Sequence, residues 1–162
     1  MRRTLESIAI AAFLFQIWIT YSALTGPHRM SDRIPTHFGF DGRPDGWSSP
    51  TMLLQLPAIT IGIYLFMVII GRFPQCFNYP VPVTPENRPR MEAITISMLI
   101  WMRTELVCFF SAIQWSMIHL ATGAKQGFLV FIEPMGVAII LGTVCYFFFA
   151  TYSAGKSCKS SF

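Results

Sequence analysis

The residues of this chain that could do chemistry are few, and most lie in one stretch. Ser31 to Trp47 reads Ser-Asp-Arg-Ile-Pro-Thr-His-Phe-Gly-Phe-Asp-Gly-Arg-Pro-Asp-Gly-Trp. His37, Asp41 and Asp45 recur at every fourth position and are donor types for Zn²⁺ or Mn²⁺. On a helix that spacing would align them on one face. Pro35, Gly39, Gly42 and Pro44 exclude a helix there. The two Asp-Gly pairs favour tight turns, because Gly reaches positive φ and Asp bonds its own backbone. The stretch therefore reads as a turn-rich loop. Ile34 to Phe40 is extended, Asp41-Gly42 reverses the chain, and Pro44-Asp45-Gly46 reverses it again. Trp47 then returns to the membrane surface, a depth that indole prefers. In this reading the two aspartates build turns, and neither a metal nor a cofactor is expected. Ile34, Pro35, His37, Phe38, Asp41, Gly42, Pro44, Asp45, Gly46 and Trp47 form a candidate contact surface for a protein or peptide partner.

A second set of groups lies in apolar sequence. Glu133 reads as about two turns inside a hydrophobic run, with Pro134 behind it. An ionisable group at membrane depth is costly and points to function. His119 lies near the end of the preceding run, on the same side as the loop. His119 and Glu133, with His37 above them, make a candidate polar pocket. The competing reading has Glu133 reach the interface and pair with Lys125 or a loop Arg. Arg103 and Glu105 lie near the other boundary. Arg103 is expected to snorkel to the headgroups, and Glu105 to seek Arg72 or Arg103. Gln16 and Gln114 are expected to make interhelical hydrogen bonds. Gly136 and Gly142 offer places for close helix approach. The chain carries no G-x-S-x-G, H-E-x-x-H, P-loop or dinucleotide fingerprint, so catalysis is not expected.

These groups are held by an apolar chain. Of 162 residues, 53% are hydrophobic and only 12% charged. Soluble domains carry about 25% charged residues, so lipid must cover most of this surface. The net charge of +4 is scattered, which argues against nucleic acid. Cys76, Cys108, Cys145 and Cys158 have neither disulfide-framework nor zinc-knuckle spacing. Four apolar runs emerge, each near the ~20 residues that span a bilayer: about 5–25, 51–71, 100–121 and 128–151. The first is too long for a secretory signal core of about 7–15 residues, and Tyr21-Ser22-Ala23 is a poor cleavage site. Pro57 is expected to bend the second helix without breaking it. The third helix starts near Glu92 and exceeds the bilayer, so its first turns project from it. Segment 72–91, with five prolines, is an irregular connection.

The fold class is therefore all-α: a four-helix transmembrane bundle in one domain, with loop 26–50 between helices 1 and 2. Basic residues orient it. Arg2, Arg3, Arg72, Arg88, Arg90, Arg103, Lys156 and Lys159 fall on one side, and Arg29, Arg33, Arg43 and Lys125 on the other. Both termini then face the cytoplasm, and loop 26–50 is extracytoplasmic.

The string Ile-Pro-Thr-His-Phe, followed by Asp-Gly-Arg-Pro-Asp-Gly-Trp between two membrane spans, resembles the family named domain of unknown function 1648. That domain also forms the N-terminal part of SdpI-type bacterial immunity proteins. Phe77-Asn78-Tyr79-Pro80 and Val83-Thr84-Pro85-Glu86-Asn87-Arg88 resemble the linker of its stand-alone members, so the likeness runs over about residues 1–120. The further helices of full-length SdpI-type proteins have no counterpart here. The resemblance implies a bacterial inner-membrane protein with a sensing, immunity or envelope-signalling role acting through the outer loop. The alternatives are an accessory subunit of a larger membrane complex and a small transporter or channel component using Glu133.

Overall fold

Helix α1 (Arg2–Thr25) buries Leu5, Ala9, Gln16, Ile19, Thr20 and Ala23, spaced so that they share one face. Its other faces carry exposed Ile10, Leu14, Trp18 and Tyr21. That pattern suits a helix with one side against protein and the rest against lipid. The computed structural model describes residues 1–26, 33–39, 44–122 and 131–156. Asp41, Gly42, Arg43, Lys125 and Lys159 lie outside the described residues, as do the side chains at 35–38, 44 and 156.

After α1 comes a two-stranded antiparallel hairpin, β1 (Ile34–Phe38) and β2 (Pro44–Ser48). Ile34 pairs with Ser48, Pro35 with Trp47, His37 with Gly46 and Phe38 with Pro44, with register shifts on either side of His37. Pro44-Asp45-Gly46 is thus a strand and not a second reversal. Proline is tolerated as the first residue of a strand, and Gly46 sits beside the irregularity, where glycine commonly marks a bulge.

A 3-10 turn (Pro50–Leu54) leads directly into α2 (Gln55–Ile70). Pro57 falls in the first turn of α2, where its missing N–H removes no helical bond. A short 3-10 turn (Pro74–Cys76) follows, and then α3 (Arg88–Ala121), 34 residues long. At ~1.5 Å per residue α3 spans about 51 Å, well beyond the ~30 Å of hydrocarbon. It starts four residues before the expected Glu92 because Thr84 and Asn87 cap it reciprocally. The Thr84 N–H donates to Asn87 Oδ1 at 2.8 Å, and the Asn87 N–H to Thr84 Oγ1 at 3.3 Å. This is the geometry of a capping box. Pro89 sits in the first turn and not in a loop. Hydrogen bonding to Thr84 also holds the exposed Glu86 carboxyl below the ordinary carboxylate range.

Helix α4 (Ile132–Lys156) completes the bundle. All four helices are long and apolar enough to cross a membrane. Helix α3 is the axis, and α1, α2 and α4 all pack on it. Its buried residues, from Met91 through Leu99 and Val107 to Gln114, run along its length. One end of the bundle carries the hairpin. The other carries the start of α1, the α2–α3 connection and the end of α4.

Candidate functional site

Among the described side chains, Ile34 carries the hairpin onto the bundle. Ile34 is 1% exposed and packs in a core cluster with Ala23 of α1 and Leu53 of the 3-10 turn. Leu24, Ile118 and Ala121 close around it. Burying a side chain of this size contributes about 1.5–3 kcal/mol. Directly below, the Gln114 amide donates to Thr20 Oγ1 and to the Leu53 carbonyl, both at 3.1 Å. The hydroxyl of Thr20 in turn donates to the Gln16 carbonyl at 2.7 Å. Gln114 therefore ties α3 to α1 and to the segment that follows β2. The expectation that Gln16 and Gln114 bond between helices holds: the Gln16 amide donates to the Phe110 carbonyl at 3.5 Å.

Of the loop residues singled out, Ile34 is core, while Pro35, His37, Phe38, Pro44, Asp45, Gly46 and Trp47 lie in the two strands. Trp47 is 56% exposed. Asp41 and Gly42 lie outside the described residues. Among the described residues, no three metal-ligating side chains gather.

His119 is exposed at the end of α3, with its ring 4.4 Å from that of Trp115. It borders a shallow recess of about 440 Å³ that also touches Trp18, Ile19 and Gly26. Glu133 is exposed and lies in the first turn of α4, not two turns inside it. A carboxylate there faces the positive end of the helix dipole. Among the described residues, no hydrogen bond or ion pair joins Glu133 to His119.

The strongest polar constellation lies at the opposite end and includes residues that were not singled out. Arg103 is buried and does not snorkel. Its guanidinium donates to Glu6 Oε1 across the α1–α3 interface. The Tyr64 hydroxyl of α2 donates to Glu6 Oε2 at 2.5 Å. The Arg103 guanidinium carbon lies 5.4 Å from the centroid of the Tyr64 ring, a cation–π distance. Glu6 thus joins three helices. Glu105 does not pair with Arg103 or Arg72: its Oε1 accepts from Thr143 of α4 at 2.6 Å. One signal for the ion pair was present. Glu6 and Arg103 each fall near the start of an expected membrane span (about 5–25 and 100–121) running in the same direction, so opposite charges lie at matching depth.

These arrangements bind and lock. The class defined by fold and site is a small all-helical protein with four membrane-spanning helices and a surface hairpin. Residues 8–61, from α1 through the hairpin into α2, match the family described as Domain of unknown function (DUF1648). The match ends well short of the 1–120 expected, leaving the 77–88 connection outside it. An uncharacterized protein of Archaeoglobus fulgidus is 37% identical over 84 residues, covering 47% of this chain and 43% of that protein. The chain thus spans less than half the length of that relative. No solved structure matches it.

Proposed function

We propose that this is a non-enzymatic membrane protein that recognises a protein or peptide partner through its β1–β2 hairpin, in a sensing, immunity or envelope-signalling role. The observation that carries this reading is the contrast between Ile34 and Trp47. The first is locked into the bundle core and the second stands out on the paired strand. Recognition residues work best on a segment that a rigid scaffold positions. A two-stranded hairpin also has a free edge, and an extended peptide can add to it as a further strand. An immunity role has support only from the likeness of this segment to the N-terminal part of SdpI-type proteins. The relative is archaeal, so we assign the protein no more narrowly than to a prokaryotic cell membrane, with the hairpin outside and both ends of the chain inside.

An accessory-subunit role is the second reading. It is favoured by α4, which packs chiefly on α3 and leaves Met135, Leu141, Phe148 and Phe149 exposed. Phe147, by contrast, is buried within the chain itself.

In-cell photo-crosslinking separates these two readings. A photoreactive phenylalanine analogue is placed at Trp47 or at Phe149 in the native host. The recognition reading expects a protein adduct from position 47 and only lipid adducts from 149. A protein adduct from 149 alone would support the subunit reading and remove the first.

A further inference from the structure

A groove of about 740 Å³ runs between α3 and α4 at the end of the bundle away from the hairpin. Along α3 it extends from Arg90 to Trp101, and along α4 from Ala150 back to Ile139. Each stretch covers eleven residue steps, or about 16 Å at ~1.5 Å per step. One leaflet of a ~30 Å hydrocarbon core is about 15 Å deep. The α4 stretch lies inside its expected span of about 128–151, where that length matches a single leaflet, and Arg90, on the turns of α3 expected to project from the bilayer, stands on the headgroup side.

Its lining is mostly apolar, with Ser97 and Thr143 along the walls, and Arg90 is exposed at that headgroup end. Arg88, close by, is engaged by Glu92 at 3.6 Å. Arg2, Arg3 and Arg72 lie at the same end and add positive potential. Basic pockets between transmembrane helices recognise anionic headgroups. Gly142 forms part of the wall and has no atom within 4 Å of where a Cβ would stand. Among the described residues, nothing fills that space.

We propose that this groove is a binding site for one anionic phospholipid. Its phosphate sits against Arg90, and one acyl chain lies along the groove past Gly142. The guanidinium forms paired, charge-assisted hydrogen bonds to phosphate oxygens. A zwitterionic headgroup brings its own cation toward the surrounding arginines and is disfavoured. This site does not depend on the hairpin reading, and it would stand if that reading failed.

The test uses the full chain, purified in detergent, stripped of lipid and titrated with phosphatidylglycerol or phosphatidylcholine of matched chains. Native mass spectrometry reads the number bound. The expected result is one phosphatidylglycerol per chain, held at least about tenfold more tightly than phosphatidylcholine. Arg90→Gln should shrink that preference to below about threefold, and Arg90→Lys should keep most of it. Gly142→Phe fills the groove and should abolish retention of both lipids, with helix content unchanged by circular dichroism. If that variant does not fold, Ile139→Trp, at an exposed position on the groove wall, takes its place with the same expectation. An unchanged preference in Arg90→Gln overturns the proposal. So does undiminished retention in the groove-filled variant. A dimer of the native chain that Gly142→Phe dissolves would assign the groove to a second copy, and that too overturns it.

Discussion

Arg103 sits on the face of α3 turned toward α1, flanked by Ile100, Thr104 and Val107. A guanidinium in such surroundings loses its hydration and requires a counter-charge. Glu6 supplies one, Tyr64 holds the second carboxylate oxygen, and Arg2 approaches Glu6 from solvent at 3.9 Å. The Arg103 Nε and the Glu105 Oε2 are buried without a hydrogen-bond partner, so this end of the bundle has little polar redundancy. Removing one partner of a buried pair costs about 3–5 kcal/mol, because it leaves the other charge uncompensated. Removing a neutral hydrogen bond costs about 1 kcal/mol. Glu6→Gln should therefore destabilise the bundle by about 3 kcal/mol, and Tyr64→Phe by about 1 kcal/mol. Glu6→Leu combined with Arg103→Met should recover most of the first loss, since a packed apolar pair avoids both desolvation penalties. Reversible unfolding in bicelles measures all three. A double variant less stable than Glu6→Gln would show that the ion pair is not the source of the cost.

At the scale of elements, the bundle is organised by where α3 allows its neighbours to approach. A Cβ added to Gly136 would stand 2.3 Å from the Phe109 ring, closer than real contacts occur, whereas one added to Gly142 would meet nothing within 4 Å. Gly136→Ala must push α4 or Phe109 aside, an overpacking cost of about 1–3 kcal/mol. Gly142→Ala removes a helix-weakening glycine and should be neutral or stabilising by up to about 1 kcal/mol. Thermal unfolding in detergent should separate the two in sign, and equal effects would contradict the packing at Gly136. The sequence made these glycines look alike because neither lies in a G-x-x-x-G pair, and only the rotation of α4 distinguishes them. The four helices themselves were legible, since length and hydropathy are local properties. So were the bonds of Gln16 and Gln114, since an amide inside an apolar run has few other choices. Glu105 was misassigned because its partner is a hydroxyl 38 positions away on another helix, and charge matching does not find hydroxyls. Pro44-Asp45-Gly46 reads as a turn locally and becomes a strand because β1 is there to pair with it. Thr84 and Asn87 carried a cap signal that the five prolines around them obscured.

At the scale of the whole molecule, the two ends of the bundle have different characters. The hairpin end is closed by an apolar plug around Ile34, with a neutral amide network beneath it. The other end holds the Glu6–Arg103–Tyr64 lock, and by sequence order eight of the twelve basic residues fall on its side of the spans. Lys and Arg near span ends are retained on the cytoplasmic side, so we expect that end inside and the hairpin outside. The lock leaves the inference standing: Arg103 is already neutralised by Glu6, and setting it aside still leaves seven basic residues against four. The chain carries its own reporter. Cys76, in the α2–α3 connection, is exposed, whereas Cys108 lies within α3 and Cys145 within α4. A chain retaining only Cys76 should react with a membrane-impermeant maleimide after permeabilisation and not before. A cysteine-free chain carrying Ser49→Cys, an exposed position just after β2, should react in intact cells. The opposite pattern would turn the hairpin toward the cytoplasm. Any partner of Trp47 would then be a cytoplasmic protein, and an envelope role would be ruled out whatever position 47 crosslinks to.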